Sequence, residues 1–141
     1  MPVEDTKKMT SPCGSCPFRR TVAPGNLGGS PPDVYIVQVY APMYIPCHKT
    51  IDYSDPCWKT KTDGQQQCAG AAIFRSHIKL AKAMPSGIHT LPGNPEVVFA
   101  NPVEFLAHHA GITQQQATEW YIGVAAAALA AREVMQAKPM G

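Results

Sequence analysis

Five cysteines, all in the first half of a 141-residue chain, carry the strongest chemical signal: Cys13, Cys16, Cys47, Cys57 and Cys68. Cys13-Gly14-Ser15-Cys16-Pro17 places two thiols three residues apart around a glycine. That spacing turns both sulfurs toward one centre and leaves backbone N–H groups to hydrogen-bond them. Zinc ribbons, iron–sulfur centres and redox disulfides all use such a pair. The odd number and the lack of secretory character in Met1 to Thr10 argue against a disulfide framework. A thioredoxin-like use expects a βαβ setting, which the Pro-rich surroundings do not offer. Cys47 lies in Pro46-Cys47-His48-Lys49-Thr50, and Cys68 directly precedes a stretch of helical character. A thiolate at a helix N-terminus is stabilised by the dipole and the unsatisfied N–H groups. Cys13, Cys16, Cys47 and Cys68 are therefore the expected ligands of one metal centre. Cys57, in a polar turn-rich segment, and His48 stand in reserve.

The spacing bears on the metal. Zinc usually takes paired knuckles or histidine partners. Here one pair is joined by two dispersed single cysteines, which suits the separated corners of a cubane cluster, and proline after a ligand cysteine recurs in ferredoxin-like sites. A [4Fe–4S] iron–sulfur cluster is the favoured cofactor, with zinc as the alternative.

The motifs Cys13-x-x-Cys16-Pro17-Phe18-Arg19-Arg20, Cys47-His48-Lys49-Thr50 and Cys68-Ala69-Gly70, in that order, resemble an uncharacterised phage and actinobacterial family of small cysteine-rich proteins. Pro95-Glu96-Val97-Val98-Phe99-Ala100 and the short helix after it look like that family's tail, so the resemblance spans residues 13–110. It implies a four-cysteine metal or cluster site in a phage-type cytoplasmic protein of a bacterial host, and brings no activity with it. Cys57 and the Ala-rich last helix depart from the pattern. A looser likeness to the four-cysteine iron–sulfur transcription regulators of actinobacteria lacks their closely spaced third and fourth cysteines.

Charge adds a second theme. Residues 1–82 hold ten Lys/Arg against six Asp/Glu, whereas residues 83–141 hold two against four. Arg19 and Arg20 read as a phosphate contact, as a screen for a negatively charged cluster, or as a surface or structural ion pair. Arg75, Lys79 and Lys82 recur at helical spacing as a basic stripe. With Arg19 and Arg20 they are the candidate contacts for an anion or nucleic acid, in a mildly basic half that falls short of a dedicated nucleic-acid arm.

The elements that must position these residues follow from punctuation and periodicity. The chain has 14 prolines and 11 glycines, which excludes a simple helix bundle over its whole length. Val34 to Tyr40 reads as a strand or, preferably, a helix started by Ser30-Pro31-Pro32-Asp33. Residues 69–84 read as one helix with Ile73, Phe74, His77, Ile78, Leu80 and Ala81 on its apolar face. Asn101-Pro102-Val103-Glu104 starts a helix that Gly111 ends, and Thr113 to Gln116 forms a capping box for a last helix running to about Ala137. On that helix Trp120, Val124, Ala127, Ala131 and Val134 form the expected inner stripe, and Trp120, Tyr121 and Met135 a protein interface. The stretch from Leu106 to Trp120 also resembles a helix-turn-helix with Gln114, Gln115, Gln116 and Thr118 as readers, but its acidic surroundings favour a packed helical hairpin.

The expected architecture is α-rich: a small single domain with an irregular Pro/Gly-rich first half, organised around the four-cysteine metal site and closed by a long C-terminal helix. Residues 1–12 form a flexible tail, 13–84 the metal-binding part and 85–141 the helical part. No run of 18 apolar residues exists, so no membrane span is expected. Paired carboxylates, a phosphate loop and a nucleophile–base pair are all missing, which makes an enzyme the weakest class. The expected function is a binding or regulatory protein acting on nucleic acid or host transcription machinery. The alternatives are a zinc-stapled adaptor for a protein partner and a redox accessory that uses the cluster.

Overall fold

A computed structural model describes residues 7–8, 12, 16–27, 31–41, 43, 45, 54, 66–85 and 88–137. Among them the chain forms helices α1 (Pro32–Tyr40), α2 (Ala69–His77), α3 (Pro102–Ala110) and α4 (Gln114–Ala137), and a 3-10 turn at Ala81–Ala83. Within the stretch read as a tail, Lys7–Lys8 (β1) pairs in parallel with Gln66–Gln67 (β2). The chain is thus helix-rich with a long C-terminal helix. No helix among the described residues is long and apolar enough to cross a membrane.

Local sequence explains most helix ends. Val34 to Tyr40 is helical, with Pro32 in the first turn, where its missing N–H costs nothing. Asn101 Oδ1 accepts the Glu104 N–H at 3.0 Å, and Gly111 closes α3 in the left-handed region at φ 66°, where a Cβ would strain the backbone. Thr113 Oγ1 accepts from the Gln116 N–H at 3.1 Å, while Gln116 Oε1 accepts from the Thr113 N–H at 3.0 Å. This is the reciprocal capping box expected from Thr113 to Gln116. It occupies the Gln116 side chain, and the Thr118 hydroxyl donates to the Gln114 carbonyl. Two of the four residues proposed to read DNA bases are therefore bonded to their own helix.

One expectation fails here and a second holds only in part. The helix read over 69–84 stops at His77, because Lys79 takes a left-handed φ of 64° and Leu80 N–H turns back to the Arg75 carbonyl at 2.9 Å. The inner stripe of α4 holds only in part. Val124 is buried and Trp120 packs against the core, with Ala117 and Ala128 buried beside them, whereas Ala127 faces solvent and Val134 is 68 % exposed. An alanine-rich helix has little contrast between faces, so α1 and α3, which pack against it, choose the buried one.

The core is a cluster of aromatic rings. Phe18 stacks on Phe105 at 5.0 Å between centroids, tilts against Phe74 at 5.3 Å and meets Tyr35 edge-on at 5.8 Å. Ile36, Val39, Val98 and Leu106 fill the space between them. The loop before α1 joins this core by backbone pairing. Arg19 bridges Val98 in antiparallel fashion, Arg20 N–H reaches the Val97 carbonyl at 2.8 Å, and Phe99 N–H reaches the Phe18 carbonyl at 3.1 Å.

Side chains of α3 fasten the same loop. His109 Nδ1 accepts the Gly25 N–H at 3.0 Å, which leaves Nε2–H to donate to the Pro17 carbonyl at 2.7 Å. His108 Nε2 donates to the Val22 carbonyl at 2.6 Å. Burial, reinforced by His108 and opposed by the Pro17 contact, holds the His109 pKa below the ordinary histidine value. A folded-state pKa below the unfolded one means that the unfolded chain binds the extra proton first. Stability from this group is present above about pH 6.5 and is lost as pH falls below it. The urea midpoint should drop between pH 7.5 and pH 5.5, and His109→Gln should flatten that drop. An unchanged slope in the variant would show that His109 is not its source.

Candidate metal centre

Cys16 and Cys68 are 52 residues apart in sequence, yet their sulfurs lie 3.6 Å from each other inside the core, and neither is in a disulfide. Two segments bring them together. Cys16 stands two residues before Phe18 of the core, and its carbonyl accepts the Arg19 N–H at 3.1 Å. Cys68 is the N-cap of α2, as its place ahead of that helix led us to expect. Its N–H donates to the Ile45 carbonyl at 2.9 Å, and its Sγ accepts the Ala71 N–H at 3.4 Å. The Cys16 contact lowers the Cys68 thiol pKa most; the Ala71 and Gly70 N–H groups and the charge of Arg75 also lower it, against the push of burial.

Gly70 completes the cradle. A Cβ there would sit 2.3 Å from Cys16 Sγ, 3.1 Å from Phe18 Cβ and 3.7 Å from Cys68 Sγ. The Cys68-x-Gly70 spacing is thus a steric demand: the sulfur pair occupies the volume a side chain would need. Gly70→Ala should destabilise the protein by about 1–3 kcal/mol through overpacking, read as a lower urea midpoint. A neutral result would mean that the two sulfurs part without cost.

The other expected ligands, Cys13 and Cys47, lie outside the described residues, as do the reserves Cys57 and His48. Among the described residues no group of three or more His, Cys, Asp or Glu side chains gathers as a metal site would require.

The five basic candidates separate into different roles. Lys79 and Lys82 are exposed, as expected of a solvent-facing stripe, and Arg19 is half-buried. Arg75 is a correction: at 2 % exposure it lies inside the core. Its Nε donates to the Val39 carbonyl at 3.1 Å, and its Nη2 donates to the carbonyls of Gln38 at 3.1 Å and Met43 at 2.8 Å. It clamps the C-terminal end of α1, where a cation suits the helix dipole. Burial brings its pKa down to about 10, against the opposing pull of Cys68, so it remains charged at neutral pH. Every residue of α2 from Ala69 to Arg75 is buried, so the helix has no solvent face there on which a basic stripe could begin.

Arg20 is engaged within the chain. Its Nη1 and Nη2 grip both oxygens of Glu104 at 3.1 and 2.8 Å, and its Nε donates to the Pro95 carbonyl at 2.6 Å. The pair lowers the Glu104 pKa, and the guanidinium stands 5.5 Å from the Phe99 ring centroid. Of the readings open to Arg20, the geometry is that of a structural ion pair. Sequence reasoning did not assign the clamp at Arg75 or the packing role of Gly70. The second had a signal in the Cys-x-Gly spacing; the first had none.

No family model, curated protein or solved structure matches the chain.

Proposed function

We propose that the protein is a small metal-binding protein in which Cys13, Cys16, Cys47 and Cys68 hold one centre, an iron–sulfur cluster or a zinc ion, that organises the first half of the chain. The observation that carries this reading is the convergence of Cys16 and Cys68, two buried sulfurs at 3.6 Å at the start of a helix. Sequence position supports the other two. Cys13 precedes Cys16 by three residues, and Cys47 follows by two the residue, Ile45, whose carbonyl accepts the Cys68 N–H. The role we assign is binding or regulatory, on nucleic acid or a protein partner, with Lys79 and Lys82 as the exposed cations. The adaptor reading draws separate support from α4, where Ile122 and Leu129 are 70 % and 55 % exposed.

The test is metal content in single variants. Cys13→Ser, Cys16→Ser, Cys47→Ser and Cys68→Ser should each lose most of the metal that co-purifies with the wild type, and Cys57→Ser should keep it. Finding Cys57 essential and Cys68 dispensable would reject the ligand set. Because metal-binding energy acts as folding energy where no preformed site exists, chelation should also expose residues 13–68 to proteases while the far-ultraviolet helical signal of α4 persists.

A further inference from the structure

We infer that Cys16 and Cys68 bind one and the same metal ion, as neighbouring corners of a single tetrahedral thiolate site of the zinc class, and not two different irons of a cluster. This rests on the metal-binding reading above and decides between its two cofactors. A tetrahedral ion with metal–sulfur bonds of about 2.3 Å sets any two of its ligand sulfurs about 3.8 Å apart. The observed separation is 3.6 Å. In a cubane each iron takes its own thiolate, so an iron–iron separation and two diverging iron–thiolate bonds lie between any two ligand sulfurs. Cys16 and Cys68 would then have to move well apart.

The surroundings oppose that movement. Cys68 is anchored at both ends of its residue, by its N–H on the Ile45 carbonyl and by its Sγ under the Ala71 N–H. Cys16 is 1 % exposed, with Gly70 against its sulfur and Phe18, two residues on, locked in the aromatic core. Substituting an ion for the S–H···S contact needs only the loss of thiol protons and a shift of a few tenths of an ångström. The N–H groups at the start of α2 and the buried Arg75 cation offset the negative charge of the thiolates that remain.

The full-length chain is titrated anaerobically with cobalt(II) alone, then with zinc(II), and in a separate arm with ferrous iron and sulfide. The expected result is one cobalt per chain, with sulfur-to-cobalt charge-transfer bands and the intense visible bands of tetrahedral cobalt, all removed by one equivalent of zinc. X-ray absorption at the zinc edge should show a sulfur shell near about 2.3 Å and no metal neighbour. Cys16→Ser and Cys68→Ser should each remove one thiolate's share of the charge-transfer intensity. If either variant fails to fold, the wild-type stoichiometry and absorption edge decide alone. Four irons and four sulfides per chain, with metal–metal scattering, would overturn the single-ion inference while leaving the thiolate site standing. A chain that takes up none of the three would overturn both.

Discussion

Phe18→Ala is expected to cost about 3–5 kcal/mol, the range for emptying a fully buried aromatic position. Phe18 has no exposed surface and touches three other rings, Phe74, Phe105 and Tyr35. These rings come from α2, α3 and α1, so one side chain outside the helices packs against three of them at once. The cavity has little means of closing, because the Phe18 backbone is itself held by the Phe99 N–H on its carbonyl. Equilibrium denaturation should show a lower midpoint with an unchanged slope, and Phe18→Leu should recover more than half of the loss. A cost under about 1 kcal/mol would mean that the core collapses around the gap. Since Cys16 lies two residues away, the alanine variant should also loosen the sulfur pair, measured as faster alkylation of Cys16 and Cys68 in metal-free protein.

Arg75→Met is expected to cost about 3 kcal/mol, although its volume is nearly conserved. The loss is electrostatic. Three carbonyls at and beyond the end of α1 lose a charged donor, and an orphaned buried acceptor costs about 1–3 kcal/mol. Val39, whose carbonyl takes the Nε bond, is fully buried and finds no water in exchange. Arg75→Lys should retain part of the stability, since an ammonium keeps the charge but lacks the fork that spans the carbonyls of Gln38, Val39 and Met43. A methionine variant as stable as wild type would show that packing alone holds α1 against α2.

Much of the fold was legible because it is local. The Pro32 start of α1, the Asn101 cap and Gly111 stop of α3, and the Thr113–Gln116 box of α4 each follow from the needs of backbone groups at a helix end. Cys68 at the N-terminus of α2 belongs with them. Of the candidate site, the position of Cys68 ahead of a helix was legible. Its 3.6 Å approach to Cys16, 52 residues away, was not, because spacing along the chain carries no distance between sulfurs.

What the sequence determined by itself is the start of α1, both ends of α3, the capping box of α4 and the place of Cys68 ahead of α2, since each depends on a few neighbouring residues. What tertiary structure alone decided is which surfaces face inward. Arg75 lies at the right spacing for an outer stripe, but α2 is enclosed on every side there, so the guanidinium turns to the end of α1. Arg20 finds Glu104, 84 residues away, because the Val98 bridge draws the first loop against α3. On α4, alanines offered little preference between faces, and packing against α1 and α3 buried Ala117 and Ala128 while leaving Ala127 in solvent. Burial is a property of what surrounds a helix, and periodicity along one helix holds no record of its neighbours.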